Sequence, residues 1–148
     1  MNIIDVSFAG LETEIEKSRV EEICEEVLAY HSLNKTELSI VFCDDKFIRV
    51  LNKNYRNINE PTDVLSFETI HPAADEKIHH IGDIVISLDT VIRGSKEYGV
   101  EPNEELKRCI IHGILHLIGY NHTNDSVDQE MISLQEKIVN KLRRVRLL

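Results

Sequence analysis

Residues 112–122 read HGILHLIGYNH, and the spacing of their polar residues organises the interpretation of the rest of the chain. His112 and His116 are four residues apart, so on a helix they lie on one face and can direct both imidazoles at one point. Gly119 is well suited to end that helix, because glycine readily adopts a left-handed conformation. The chain can then turn back and bring in His122. Three neutral imidazoles suit Zn²⁺ and leave its fourth position open, which is typical of a catalytic metal site.

The histidine spacing matches the metzincin protease signature H-E-x-x-H-x-x-G-x-x-H at all but one position. Gly113 stands where those enzymes carry the glutamate that acts as general base. Glycine can neither take a proton from a metal-bound water nor return one to a leaving amine. The pattern therefore predicts a metal site and argues against peptide hydrolysis.

The helix that carries His112 and His116 is strongly apolar. Between Cys109 and Ile118 the only polar side chains are these two histidines, so the helix is expected to be buried nearly all round. At steps of three, four and four residues a polar stripe interrupts the apolar surface: Glu105, Arg108, His112 and His116. Such a stripe on an otherwise buried helix indicates the floor of a cleft.

Length and composition predict one globular domain covering residues 1–148. The chain is 42% hydrophobic and 29% charged, values that are ordinary for a soluble protein with a real core. The stretch MNIIDVSFAG lacks the basic start and long apolar run typical of a signal peptide, and no apolar run approaches the ~18 residues that a membrane span requires, so neither feature is expected. Its three cysteines lie among apolar neighbours and predict buried thiols in a reducing cytoplasm.

The net charge of −9 does not favour a nucleic-acid partner, but the charge is unevenly distributed. The segment Lys46 to Arg56 carries four basic residues and no acid, and the tail from Lys137 onward carries five and no acid. Basic segments on an acidic protein can still bind phosphate locally.

Hydrophobic periodicity and turn residues predict the element order β-α-β-α-β-β-α-α-α. We expect strands near 2–8, 38–43, 63–67 and 82–87, and helices near 18–31, 45–55, 89–98, 102–118 and 126–142. Capping boxes are expected at Ser18 and Ser126, and Asp44 or Asp45 is expected to cap the second helix. The segments 55–62, with Arg56, and 68–81 are predicted loops, the latter carrying the histidines His71, His79 and His80. The resulting fold class is α+β, with about five helices flanking a small four-stranded mixed sheet that has at least one parallel crossover.

Four sequence blocks together resemble a known family. The run HGILHLIGYNH resembles the pattern H-G-x-L-H-L-x-G-Y-D-H of the YbeY family. The runs LNKNYR (51–56), PTDVLSF (61–67) and GDIVIS (82–87) are similar to the other blocks of that family, in the same order. On these blocks the chain is identified as a member of the YbeY family, with the resemblance covering about residues 51–122.

The resemblance implies an α+β fold with a four-stranded mixed sheet and a zinc-dependent, single-strand-specific endoribonuclease. It further implies a role in rRNA maturation, including the 3′ end of 16S rRNA, and in ribosome quality control, with the small ribosomal subunit as partner. No membrane or DNA partner is expected. The implied metal ligands are His112, His116 and His122, with one Zn²⁺ that Ni²⁺ could replace. The resemblance associates Arg56 with activity and substrate binding, and Lys53 is the adjoining candidate for substrate binding.

The residues suit this chemistry, although the sequence leaves two points open. The planar guanidinium of Arg56 can bind two phosphate oxygens and stabilise their developing charge. The attacking group is either the 2′-hydroxyl of the RNA or a metal-bound water. Asn121 stands where the family pattern has aspartate; it can accept a hydrogen bond beside the metal ligands but cannot act as a base. Asp63 and Asp125 are alternative sources of a carboxylate.

Two rival functions remain at this stage. The first is a metal-dependent hydrolase of another substrate class, which assays with peptides and RNA would distinguish. The second is a non-catalytic, ribosome-associated factor with a structural metal, which a fourth protein ligand closing the site would favour.

Overall fold

The computed structural model describes residues 1–69, 78–120 and 125–148, without the side chain of Asp125. Within these residues the predicted order β-α-β-α-β-β-α-α-α is confirmed. The strands are β1 (Ile3–Phe8), β2 (Thr36–Cys43), β3 (Val64–Glu68) and β4 (His79–Ser87). The helices are α1 (Lys17–Tyr30), α2 (Asp45–Arg56), α3 (Leu88–Tyr98), α4 (Pro102–Ile118) and α5 (Asp125–Lys141). None of these helices is long and apolar enough to cross a membrane.

The four strands form one mixed sheet in the order β1-β2-β4-β3. Strands β1, β2 and β4 are parallel to one another, whereas β3 runs antiparallel to β4 at the edge of the sheet. The predicted mixed sheet with parallel crossovers is therefore confirmed. The edge position of β3 matters for the site, because one side of this strand faces away from the rest of the sheet.

Alternating side chains of the sheet build two apolar clusters, one on each face. On β2, Leu38, Ile40 and Phe42 point into the larger cluster, which they share with α1, α4 and α5. Val41 and Cys43 belong to the smaller cluster, to which α2 contributes Ile48 and Leu51 and the edge strand contributes Leu65 and Phe67. Helices α2 and α4 thus lie on opposite faces of one sheet.

The histidine helix α4 is the central helix of the larger layer, packing against α1, α3, α5, β3 and β4. As expected, it is buried nearly all round, and its polar stripe of Glu105, Arg108, His112 and His116 is only half-buried. Gly113 allows α4 to approach β4 closely: a Cβ at this position would lie 3.0 Å from Cγ2 of Ile84. The stripe therefore faces away from the sheet contact and toward open space.

Two buried polar residues of α4, Asn103 and Lys107, anchor the segment that follows α5. Lys107 Nζ donates to the carbonyl oxygens of Leu142 at 3.0 Å and Val145 at 2.9 Å. Asn103 Oδ1 accepts from the backbone N–H of Leu147 at 2.8 Å. These bonds satisfy polar groups that burial would otherwise penalise, and they tie the segment after α5 to α4.

Local capping chemistry determines several helix ends. Asp44 caps α2 by accepting from the backbone N–H of Phe47 at 2.9 Å. Gly99 and Gly119 end α3 and α4 with φ of 67° and 125°, as predicted. Both predicted capping boxes are wrong. Helix α1 begins at Lys17 and α5 at Asp125, so Ser18 and Ser126 already lie inside their helices, whereas a cap must be the extended residue just before the helix.

The structure also corrects two predicted loops. Helix α2 continues through Arg56 and ends because Asn57 adopts the left-handed conformation, with φ of 59°. His79 and His80 are not loop residues but begin β4, since they pair with Thr36 and Glu37 of β2. His71 lies outside the described residues.

Candidate active site

His112 and His116 form the centre of the candidate site, side by side on the exposed stripe of α4. Their Nε2 atoms are 2.9 Å apart, and the two rings meet at an interplanar angle of 83°. The predicted convergence of these two imidazoles on one point is therefore observed. His122 and Asn121 lie outside the described residues. Within residues 1–69, 78–120 and 125–148, no set of three or more His, Cys, Asp or Glu residues is arranged to hold a metal ion.

The Nδ1 atoms of the two rings face oxygen atoms. His116 Nδ1 lies 2.7 Å from the backbone oxygen of Tyr120, and His112 Nδ1 lies 2.9 Å from Oε1 of Gln135. A carbonyl oxygen can only accept, so His116 donates from Nδ1, and its Nε2 carries a lone pair in the neutral ring. Gln135 was not predicted from the sequence. It stands four residues after the buried Met131 on α5, a spacing that indicates a position facing α4.

One large cleft, of about 1130 Å³, contains both histidines and Arg56. It extends between the last turn of α2 and the exposed stripe of α4, along the edge strand β3. Its remaining lining residues are Leu51, Tyr55, Thr62, Asp63, Val64, Leu65, Ser66, Phe67, Glu68 and Asp83. The structure thus brings Arg56 to the same cleft as residues that are more than fifty positions away in the sequence.

The edge strand β3 links the two walls of this cleft. The ring of Phe67 contacts the ring of Tyr55 edge-on, with centroids 5.0 Å apart, which attaches the last turn of α2 to the strand. On the other side, Ser66 Oγ lies 3.4 Å from the backbone oxygen of Gly113 on α4. Successive side chains of a strand point to opposite faces, so one short strand can hold both helices.

Arg56 is an exposed residue whose backbone is held by its neighbours. The amides of Asn57 and Ile58 donate to the carbonyl oxygens of Lys53 and Asn52, which closes the end of α2. The buried side chain of Asn52 donates to the backbone oxygen of Glu60 at 2.8 Å. The turn after Arg56 is therefore fixed, while the guanidinium remains accessible.

Three carboxylates line the cleft together with Arg56. Asp63 Oδ1 accepts from the amide of Val64 at 2.8 Å, and Asp83 binds Ser39 Oγ and lies 3.6 Å from Nε2 of His80. Glu68 is the third. Of the two alternative carboxylates considered from sequence, Asp63 does line the cleft, whereas the side chain of Asp125 is not described. Glu68 and Asp83 were not predicted from the sequence. The pairing of β3 with β4 brings both residues to the cleft.

Comparison with known proteins adds a decisive observation to this geometry. The family model described as Endoribonuclease YbeY matches residues 6–143. The chain belongs to the YbeY family. The match extends well beyond the four blocks quoted above, so the family predicted from those blocks is confirmed.

Relatives of the chain bear the same description. Endoribonuclease YbeY of Treponema denticola is 45% identical over 148 residues, covering 97% of this chain and 96% of the relative. Endoribonuclease YbeY of Treponema pallidum is 47% identical over 122 residues, covering 80% of this chain and 76% of the relative. A solution structure of a Thermotoga maritima protein aligns with a TM-score of 0.69 at 27% identity, covering 95% of this chain and 89% of the other. Its fold agrees with the predicted α+β class.

Membership of the YbeY family supports an endoribonuclease role, that is, a hydrolase with an RNA substrate. Lys53, the second residue predicted to bind substrate, is exposed on α2 one turn before Arg56 and is not among the residues that line the cleft. The three cysteines are free and buried, as the sequence analysis expected.

Proposed function

We propose that residues 1–148 form one zinc-dependent, single-strand-specific endoribonuclease domain whose metal ligands are His112, His116 and His122. The observation that carries the proposal is the position of two Nε2 atoms, 2.9 Å apart, in the same cleft as Arg56. A site that only binds a metal would not require a guanidinium in the same cleft, and a site that only binds phosphate would not require paired imidazoles.

The described residues fit a zinc ion. Zinc binds neutral imidazole, and a ligating histidine usually donates its other ring N–H to a carbonyl or carboxylate oxygen. His116 has this arrangement, with its Nδ1 2.7 Å from the carbonyl oxygen of Tyr120. When bound, zinc or a substitute such as Ni²⁺ would supply Lewis-acid stabilisation of negative charge. Asn121, beside the third ligand, would contribute a hydrogen bond and no charge.

Arg56 is the proposed catalytic residue of the chain itself. Its guanidinium presents planar, always-charged donors, which suit the non-bridging oxygens of a phosphodiester. Those oxygens gain negative charge in the transition state, so a guanidinium that lines the cleft can stabilise the transition state more than the ground state. The fixed turn after Arg56 favours this role, because it holds the backbone that carries the guanidinium.

Lys53 is proposed to bind substrate outside the cleft. It lies one turn from Arg56 on the basic helix α2, where it can contact a phosphate of an RNA strand that leaves the cleft. Charge of this kind is needed, since Asp63, Glu68 and Asp83 line the cleft and oppose a polyanion. The proposed substrate is therefore held by its phosphates, with Arg56 in the cleft and Lys53 just outside it.

The finer biological role is likewise a proposal, and it rests on family membership. We propose that the substrate is rRNA, that the activity contributes to maturation of the 3′ end of 16S rRNA and to ribosome quality control, and that the small ribosomal subunit is the partner. The proposed location is the cytoplasm, which agrees with three free, buried cysteines.

One experiment tests the activity and the metal together. Purified protein is analysed for zinc and assayed on an end-labelled single-stranded RNA, on the same sequence as a duplex, and on a peptide. We expect cleavage of the single strand alone, loss of cleavage when a chelator removes the metal, and recovery when zinc is returned. Cleavage that persists after verified metal removal would contradict the zinc dependence. If fully zinc-loaded protein left every RNA intact, the proposed nuclease activity would be contradicted.

A further inference from the structure

We propose that Gln135 of α5 is a positioning residue that holds the His112 ring with Nδ1 as the donor to Gln135 and Nε2 as the nitrogen available to a cation, and that Glu136 and Arg108 determine the orientation of the Gln135 amide. This inference rests on the proposed metal site, since it concerns the state in which His112 is ready to bind a cation.

The Gln135 amide has one accepting end and one donating end, so its orientation decides which atom faces His112. Its Nε2 lies 3.2 Å from Oε2 of Glu136, and its Oε1 lies 2.9 Å from Nδ1 of His112. An ionised carboxylate only accepts, so the amide must direct its NH₂ group at Glu136. The amide oxygen is then the atom that faces the imidazole.

The second step is the charge of Glu136. Arg108 Nε lies 3.0 Å from each oxygen of the Glu136 carboxylate, and Arg108 Nη2 lies 2.9 Å from Oε1. The hydrogen bonds from Arg108 hold the pKa of Glu136 below its ordinary value. Arg108 is itself held by ion pairs with Glu104 at 2.8 Å and Glu105 at 3.3 Å. Glu136 therefore remains an acceptor at neutral pH, and its position is set by α4.

The third step is the consequence for His112. Since the amide oxygen of Gln135 accepts, Nδ1 of His112 donates and Nε2 carries the lone pair. His116 is in the same tautomer because it donates to the carbonyl oxygen of Tyr120. The two Nε2 atoms, which lie 2.9 Å apart, are then the ring nitrogens that one shared cation can bind. If the amide were reversed, its NH₂ would face Nδ1, and Nε2 would carry the hydrogen that blocks metal binding.

The affinity test compares variants at two glutamines of α5. Gln135→Met preserves length and removes the strong acceptor, so zinc affinity, measured by competition with a chromophoric chelator, should fall by about 10- to 100-fold. Gln135→Glu restores an acceptor and should bind zinc more tightly than the methionine variant. Gln129→Met, at an exposed position of the same helix, is the matched control and should bind zinc as the wild type does. Equal affinity of Gln135→Met and the wild type would overturn the proposal.

A second measurement separates positioning from packing. In metal-free protein at mildly alkaline pH, long-range ¹H–¹⁵N spectra should show the neutral His112 ring protonated on Nδ1. Glu136→Ala leaves His112 untouched but frees the amide, and should convert His112 to a mixture of tautomers. The double variant Gln135→Met/Glu136→Ala should bind zinc no more weakly than Gln135→Met alone, because both changes act through one amide.

The outcomes are distinguishable from failure of the proposed function. An unchanged His112 tautomer in both Glu136→Ala and Gln135→Met, with or without weaker zinc binding, would show that Gln135 acts only through packing and would overturn the inference. If wild-type protein showed the expected His112 tautomer but cleaved no RNA, the proposed nuclease activity would be contradicted. The positioning role of Gln135 would still be supported.

Discussion

Gly113 of α4 lies directly against Ile84 of β4, so that a Cβ added to the glycine would lie 3.0–3.3 Å from three side-chain atoms of the isoleucine. Ile84 is fully buried and β-branched, which limits its freedom to move away. This contact explains why the position that carries a glutamate in metzincins is glycine here. The side chain of residue 113 would point into the sheet and not into the cleft.

The first prediction concerns the size of residue 113. Gly113→Ala gains about 1 kcal/mol of helix propensity but overpacks Ile84, which typically costs about 1–3 kcal/mol. We expect the unfolding free energy to be unchanged or to fall by up to about 2 kcal/mol, as measured by urea denaturation. Gly113→Glu should unfold the protein or lower its stability severely, since it buries a charge without a partner.

Gly94 of α3 is the matched control for that experiment. It is also a helical glycine, but nothing lies within 4 Å of a Cβ added there. Gly94→Ala should therefore stabilise the protein by about 0.5–1 kcal/mol. Equal effects of the two alanine substitutions would show that the contact with Ile84 does not restrict residue 113.

The second prediction tests whether Arg56 contributes to RNA cleavage independently of zinc binding. Arg56→Ala should leave zinc content and thermal stability nearly unchanged, because an exposed arginine contributes little to folding. RNA cleavage should fall by about 10²-fold or more, the scale expected when one fixed transition-state donor is lost. Arg56→Lys should recover only part of the rate, since an ammonium lacks the planar fork.

Lys46→Ala, at the opposite end of α2 and also exposed, controls for the loss of one positive charge from this helix. It should cleave at close to the wild-type rate. Full activity of Arg56→Ala would remove Arg56 from the proposed mechanism.

The third prediction concerns Lys53, which lies outside the cleft lining. Lys53→Ala should raise KM and leave kcat nearly unchanged, because a phosphate contact away from the reacting bond binds substrate and transition state equally. The slope of log affinity against log salt should become shallower by about 0.7. A fall in kcat comparable with that of Arg56→Ala would instead assign Lys53 to the reacting phosphate.

The fourth prediction is a pH dependence of stability. The pKa of Glu136 is lowered by its hydrogen bonds with Arg108, so the carboxylate stabilises the fold fully above the ordinary glutamate pKa of about 4.3. That contribution is lost as the pH falls through the depressed pKa. Metal-free Glu136→Gln should therefore lose less stability than metal-free wild type between neutral and acidic pH. Identical losses in denaturant titrations would show that this ion pair is not linked to folding.

Local chemistry in the sequence was sufficient for the element order and for the pairing of the histidines. Periodicity located the apolar helix, a four-residue step placed His112 beside His116, and Gly119 ended the helix where expected. These features depend on residues within one or two helical turns. The same holds for Asp44, whose cap bonds a residue only three positions away.

Predictions from the sequence were wrong or missing where residues that contact one another are distant along the chain. His79 and His80 belong to a strand because β2 pairs with them, and Gln135 reaches His112 because α5 packs on α4. The loop predicted for residues 55–62 begins two residues too early, because the left-handed Asn57 follows Arg56 and ends the helix there. No local pattern distinguishes Asn57 from the other polar residues of that turn.

The attachment of both cleft walls to β3 has a consequence for how the protein would fail. Arg56 and the histidines belong to helices on opposite faces of the sheet. A five-residue edge strand, which within the described part of the chain pairs with β4 alone, holds them in register. Such an edge opens at a lower free energy than the centre of a sheet. Under gradual denaturation we therefore expect RNA cleavage to be lost before the protein unfolds globally. At that point the amides of β3 would exchange with solvent while those of β2 and α4 remain protected.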